Sequence, residues 1–387
     1  HFLQDTTSKS PKIRRNHPFM HKKRKNADTN AKEILCGKDE YCMQKGKASI
    51  AFDHPPLICG AASVAGSKEG EGPLGQLFDL VEQDDRLGKK NWEEAESELQ
   101  KKAAKQAIEK AGRKKEEIRY LFAGDLLGQL IATSFGLMEL EIPLFGLYGA
   151  CSTMGEALSL GAMAVDAGYA DRCLALASSH FATAEKQFRF PLGYGNQRPY
   201  SSTWTATGCG AVVLESSREK EEKDCSFTQV KISGITTGKI VDFGLKDSMN
   251  MGAAMAPAAF HTILQNFEDF ERDEKAYDQI ITGDLGKVGQ TILWDFMAKK
   301  GYDLSQVHMD CGIELYDSKT QDTHAGGSGC GCSAIVLCSY ILPKMHDGTW
   351  KRVLFVPTVA LLSTVSYNEG QSVPGIAHAV VIERVNG

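Results

Sequence analysis

The sequence predicts an α/β protein made by internal duplication of one strand–helix unit, and three observations carry that reading. Similar elements recur in the same order in the two halves of the chain. Apolar strand-like runs alternate with helix-like periods, the pattern of mixed or parallel sheets with covered faces. Between one such strand and a helix of small residues lies Gly149-Ala150-Cys151-Ser152-Thr153. At 387 residues the chain exceeds one ordinary domain.

The N-terminal stretch stands apart. Residues 1–42 hold ten Lys or Arg against five Asp or Glu, include Lys22-Lys23-Arg24-Lys25 and show no apolar period. They lack the apolar segment of a secretory signal. They read as an extraneous or disordered basic leader, with the natural start expected at Met43. A basic arm for a membrane surface or nucleic acid is the other reading.

The first half, expected over 43–222, opens with a helical period at Trp92, Ala95, Leu99, Ala103, Ala107 and Ile108. A strand at 118–123 and Gly124-Asp125-Leu126 follow. The run 143–148, headed by Pro143, has the signature of a buried strand. After the cysteine segment, Met154, Leu158, Gly161, Ala162 and Val165 keep helical spacing and Gly168 stops the helix. Strands at 172–178 and 210–215 close the half.

The second half, expected over 226–387, repeats this order. Ala258, Ile263, Leu264 and Phe267 mark a helix, 279–282 a strand, and Gly283-Asp284-Leu285 echoes Gly124-Asp125-Leu126. Gly326-Gly327-Ser328-Gly329 takes the place of the cysteine segment, before a helix containing Ser333, Ala334, Ile335 and Val336. Strands at 352–358 and 378–383 complete the copy.

Composition narrows the function. With 42% apolar residues, 24% charged residues and a net charge of −5, the chain reads as globular and soluble, with no basic groove for nucleic acid. No apolar run approaches the roughly eighteen residues of a membrane span. The eleven cysteines are odd in number and scattered, and Cys173 and Cys209 sit in apolar strand patterns. That suits reduced core thiols rather than a disulfide framework. Cys330-Gly331-Cys332 with Cys311 and Cys338 matches no common zinc spacing, so neither metal nor cofactor is expected.

Cys151 leaves two readings open. A helix start offers unpaired N–H groups and a positive dipole end, which favour a thiolate or a bound anion. A buried structural thiol is the alternative.

Two α/β halves with a helix-start cysteine in the first resemble the thiolase superfamily, which includes ketoacyl synthases and other condensing enzymes. The resemblance covers residues 43–387. It implies a thiolase-like fold, with helices covering and separating two mixed sheets, and places Cys151 where the nucleophile attacks an acyl thioester. The nucleophile's partners do not carry over. Gly283-Asp284-Leu285-Gly286 stands where ketoacyl synthases have a His-Gln-Ala-Asn type turn. Gly326-Gly327-Ser328 stands where they place an Asn or His, and residues 361–387 hold no second cysteine. His324 lies a register away on a loop, and His378 reads as a satisfied core histidine of the last strand. Oxyanion donors without a general base leave a weak catalyst, so enzymatic activity is not expected. The alternative is a condensing or acyl-transfer enzyme using Cys151.

Five stretches narrow the resemblance. They are Leu121-Phe122-Ala123-Gly124-Asp125-Leu126-Leu127, the cysteine segment from Tyr148, the run from Ser178 to Pro191, Met255-Ala256-Pro257-Ala258-Ala259, and the run from His324 to Ala334. Together they resemble the stage V sporulation protein AD family of spore-forming bacteria. That resemblance implies a protein that binds dipicolinic acid, free or as its calcium chelate, within the channel complex that takes it up into the developing spore. It also implies a peripheral place at the forespore inner membrane, small membrane proteins of the same operon as partners, and a homodimer. A planar ring with two carboxylates needs N–H donors, a cation and a flat apolar wall. Cys151, Ser152 and Thr153 are the candidate donors, with Gly326, Gly327 and Ser328 as a second set. Ser179, His180, Lys186 and Arg189 are candidates after the 172–178 strand, with Phe188 and Phe190 as ring contacts. Arg189 is the first choice of cation because its guanidinium forks a carboxylate.

Overall fold

The computed structural model describes residues 43–188, 198–218 and 229–385. The chain divides into His1–Cys42 and Met43–Gly387, and only the second unit is described. The expected boundary between halves, at 222–226, lies outside the described residues.

Ten strands form the scaffold. The first half contributes β1 (Leu57–Ala65), α1 (Trp92–Lys110), β2 (Tyr120–Gly124), β3 (Leu144–Gly146), α2 (Thr153–Asp166), β4 (Arg172–Ser179), α3 (Phe181–Phe188) and β5 (Gly208–Glu215). The second contributes β6 (Val230–Thr236), α4 (Met251–Phe270), β7 (Gln279–Thr282), α5 (Gly286–Ala298), β8 (His308–Asp310), α6 (Cys330–Val336), β9 (Arg352–Val356) and β10 (Ala379–Arg384).

The strand order, β8-β7-β9-β10-β6-β1-β5-β4-β2-β3, reads the same from either end once the halves are equated. In each half the outer three strands are parallel and the inner pairings antiparallel. Strands β1 and β6 meet at the single pair Lys231 and Leu57, and the short strand Ser49–Ala51 of the first half pairs β6 beyond it. Strands β1 and β6 are counterparts that sequence reading had not paired. Each carries a bulge after an isoleucine, between Ile58 and Gly60 and between Ile232 and Gly234. One extra residue resets which side chains face inward, and a glycine allows the bend.

Side-chain alternation sorts the interior into layers. Ile58, Ala61 and Ala65 of β1 join a central core, while Cys59, Ala62 and Val64 face α1. In β10, Val380 and Ile382 point to the same central core and Ala379 and Val381 point to the α4 side. Helices α2 and α6 occupy the centre. Gly155 of α2 lies against Pro357 and the His378 carbonyl of the second half, and Ala334 of α6 lies against Gly210 of the first. Fully burying a side chain such as Met154 or Phe355 contributes about 1.5–3 kcal/mol. The result is helix, sheet, helix, sheet, helix, as the sequence predicts.

Helix ends follow local chemistry. Asn91 caps α1 by accepting the Glu94 amide at 2.8 Å, and Asn250 caps α4 by accepting that of Ala253 at 3.2 Å. One element differs from expectation. The run 143–148 yields only the short strand β3, and it is not buried. It pairs β2 on one side and lies at the sheet's outer edge, leaving Leu144 and Phe145 exposed. An apolar run cannot by itself distinguish a central strand from an edge strand with an apolar surface.

Candidate functional site

The chain between β3 and α2 turns sharply. Ala150 takes a left-handed φ of 44°, and Ala150–Ser152 form a short 3-10 turn before α2 begins at Thr153. Hydroxyls close the turn: Ser152 Oγ donates to the Gly149 carbonyl at 2.9 Å and Thr153 Oγ1 to that of Ala150 at 2.7 Å. Cys151 is thereby presented to a cavity of about 310 Å³. Leu126, Tyr148, Ala184, Glu185 and Phe188 of the first half line this cavity. The second half adds Met249, Met251, Ser328, Gly329 and the 360–363 segment. That size suits one small ligand, and the wall is mostly apolar with a few polar groups.

Opposite the cysteine stands a residue that sequence reading mentioned only as a gap in the condensing-enzyme pattern. Asp284, fully buried after β7, accepts the Gly329 amide through Oδ2 at 3.0 Å. Its Oδ1 is buried without a hydrogen bond of ordinary geometry, and the Cys151 thiol is near enough to act as a weak donor. Burial pushes the Asp284 carboxyl up to about 7; the thiol and the Gly329 amide oppose the rise and the charge of Asp310 adds to it. Cys151 moves the same way. Burial, and then the Asp284 charge, raise its thiol well above the ordinary value. The nucleophile in cysteine chemistry is the thiolate, so at neutral pH this thiol is held in its unreactive form. The signal that could have found Asp284 was the repeat itself, since Gly283-Asp284 copies Gly124-Asp125. Asp125 is equally buried, but its carboxylate is taken up by the amides of Leu127 and Thr133 and by the Thr133 hydroxyl.

Of the residues singled out from the sequence, Cys151, Ser328 and Phe188 line the cavity. Ser152 and Thr153 spend their hydroxyls on the turn. Ser179 is buried, donating to the Ala206 carbonyl at 2.7 Å and accepting the Gly331 amide at 3.1 Å. His180 does not reach the cavity. It is buried against Trp92, with Nε2 2.7 Å from the Asp85 carbonyl oxygen and Nδ1 accepting the Ala182 amide, and burial lowers its pKa. Lys186 points outward and pairs with Glu93 at 2.7 Å. A helix face turned away from the cavity explains its position. Gly326 and Gly327 extend along the 204–205 segment, Gly327 paired with Trp204, and so carry Ser328 to the wall. Arg189 and Phe190 lie outside the described residues. Glu185 is a wall residue that sequence reading missed.

The two histidines also have defined places. His324 sits on a loop bonded to the Pro199 carbonyl and Asp322. His378 precedes β10 and faces Glu156 across the halves at 3.5 Å. Among the described residues no cluster of three or more His, Cys, Asp or Glu is placed to hold a metal ion. Nor is any described helix long and apolar enough to cross a membrane.

The layered duplication and the cysteine turn at its centre define the class: this is a thiolase fold. Solved structures agree. A type II polyketide ketosynthase with its acyl-carrier protein, AntDE:AntF, superposes with a TM-score of 0.56 at 13% identity, covering 86% of this chain and 100% of that one. The tetronic acid condensing enzyme AbyA1 gives 0.52 at 14% identity, covering 84% and 99%. Xanthomonas campestris OleA with bound lauric acid and lauroyl-CoA gives 0.52 at 13%, covering 85% and 99%. Sequence narrows the class further. Residues 46–383 match the family model of Stage V sporulation protein AD, and the chain is 42% identical over 342 residues to Stage V sporulation protein AD of Bacillus subtilis (strain 168), covering 88% of this chain and 98% of that protein. The chain belongs to the Stage V sporulation protein AD family.

Proposed function

We propose that this protein binds dipicolinic acid in the Cys151 cavity, as the peripheral component of a channel complex that moves it into the developing spore. The observation that carries the reading is the pairing of Cys151 with Asp284. A condensing enzyme needs an activated thiolate and a base beside it; here burial, and then the Asp284 charge, raise the pKa of the thiol, and no histidine lines the cavity among the described residues. What remains is a binding chamber lined by apolar side chains including Phe188, Leu126 and Met251, with polar groups at Ser328 and Gly329.

The ligand's two carboxylates need a cation, because desolvating them unpaired costs several kcal/mol. Arg189 is the proposed source, following Phe188 in the chain; calcium carried by the ligand is the other. Calorimetric titration with dipicolinate, with and without Ca²⁺, tests both. Arg189→Ala should weaken binding at least about a hundredfold, from the roughly 3–5 kcal/mol that loss of one partner of a buried charge pair costs. Lys351→Ala should bind like the parent. Equal affinities for the two variants would remove Arg189 from the site.

In this reading the protein sits at the forespore inner membrane with small membrane proteins of its operon. It is a homodimer through the exposed sheet edge at β3, where Leu144 and Phe145 lie open. A monomer mass in light scattering at micromolar concentration would remove the dimer. One feature favours the second reading, acyl transfer: Cys151 faces a mostly apolar cavity. Selective labelling of Cys151 by an acyl thioester would support it.

A further inference from the structure

The described lining of the Cys151 cavity carries three titratable side chains, Tyr148, Cys151 and Glu185, and no Lys, Arg or His. Behind it lies Asp284, only 1% exposed and in contact with both Cys151 and Gly329 of the lining. Three buried aspartates meet in this interior, and their donors differ. Asp310 accepts the amides of Leu285, Gly286 and Ile313 and the Thr282 hydroxyl. Asp125 accepts two amides and the Thr133 hydroxyl. Asp284 accepts one amide, at Oδ2, and its buried Oδ1 has only the weak Cys151 donor. A buried carboxylate is stable when several donors hold its charge, and the neutral acid is favoured when they are missing.

The groups that face Asp284 add no positive charge. They are Cys151 before α2, Asp310 in β8 with Cys311 after it, and Cys330 and Cys332 in α6. His308 of β8 contacts Thr282, and burial lowers its pKa to about 3, so it stays neutral. Asp284 itself, pushed up by burial to about 7, titrates near neutrality.

We propose that an anionic ligand enters the Cys151 cavity together with one proton, which is drawn from solvent and held on Asp284. The inference rests on dipicolinate binding in this cavity and adds its proton dependence. Cys151 and Gly329 touch the cavity on one side and Asp284 on the other, so a ligand carboxylate there and an ionised Asp284 repel across a low-dielectric gap. The ligand's charge therefore favours the neutral acid. Its proton sits on Oδ1, while Oδ2 keeps the Gly329 amide. Linkage fixes the sign: once Asp284 of the empty site is ionised, each ligand must bring a proton, and affinity falls as pH rises.

The test is calorimetry of the full chain with dipicolinate, without calcium, in HEPES and in Tris at pH 8. Dipicolinate's own carboxyls are ionised at that pH, so a difference in heat between the two buffers counts protons taken up by the protein. The parent should take up close to one, and its affinity should fall roughly tenfold between pH 7 and 8.5. Asp284→Asn keeps an acceptor for the Gly329 amide and should bind with no uptake and no such pH dependence. Glu96→Gln removes the other acid raised to about 8 beside the first half's wall and should leave the uptake unchanged. Equal heats for the parent in the two buffers overturn the inference while leaving dipicolinate binding standing. Uptake that persists in Asp284→Asn, or vanishes in Glu96→Gln, overturns it as well. Absence of binding at every pH removes the binding reading itself, and this inference with it.

Discussion

Glu156, in the first turn of α2, lies 3.5 Å from His378 Nε2 of the other half, and its Oε1 also accepts the Ser152 hydroxyl at 2.8 Å. The contact ties the cysteine turn to the second half. Burial pushes the Glu156 carboxyl up, but hydrogen bonds from His378 and Ser152 outweigh it and leave the pKa below its ordinary 4.5. A depressed acid stabilises the fold above its unfolded pKa and loses that contribution as pH falls through the folded one. Thermal melts should therefore show Glu156→Gln less stable than the parent at pH 7, with the gap closing below about pH 4. A gap independent of pH would contradict the assignment.

Glu96 works with the opposite sign. It is buried in α1, accepting Ser178 Oγ and Thr183 Oγ1 at 2.8 Å each, and burial, with the Asp125 charge, raises its pKa to about 8. A raised acid stabilises most below its unfolded pKa, and the contribution disappears as pH rises through the folded value. The parent should lose melting temperature as pH rises from about 4.5 to about 8, the interval between the ordinary and the folded pKa, and Glu96→Gln should flatten that decline. Identical slopes would show that Glu96 does not titrate there.

Asp284 should govern the reactivity of Cys151. Iodoacetamide should label Cys151 slowly at pH 7, because little thiolate is present. Asp284→Asn removes a charge that raises the thiol's pKa, so labelling should accelerate severalfold. Faster labelling of the parent than of the variant would reverse the account of the pair.

Gly329 is fixed by geometry. Its φ is 93°, and a Cβ there would lie 2.7 Å from Ser179 Oγ. Gly329→Ala should cost about 1–3 kcal/mol of stability and weaken dipicolinate binding, since the Gly329 amide holds Asp284. Chemical denaturation and calorimetry on the same variant check both effects.

The duplication was legible because it is written in local patterns: apolar strands, glycine turns and small-residue helices recur in order. The turn at Cys151 was legible for the same reason. What escaped was decided by facing and distance. His180 and Lys186 have the chemistry of ligand contacts, yet one packs inward on Trp92 and the other outward on Glu93, and a chemical type does not state a direction. Asp284 escaped because its role exists only once the second half brings it to Cys151. The edge position of β3 depends on pairing order, which no window of sequence contains.

Helix α6 belongs to the second half, yet Ile335 and Ala334 fill the space left by the missing side chains of Gly208 and Gly210 in β5. During synthesis the first half therefore leaves the ribosome with the part of its sheet around Gly208 and Gly210 uncovered, although its own α2 packs beside it. That part must wait for nearly the whole chain before it can close. A nascent chain stalled before Cys330 should be sensitive to protease and engaged by chaperones, although every strand of its own half has been made.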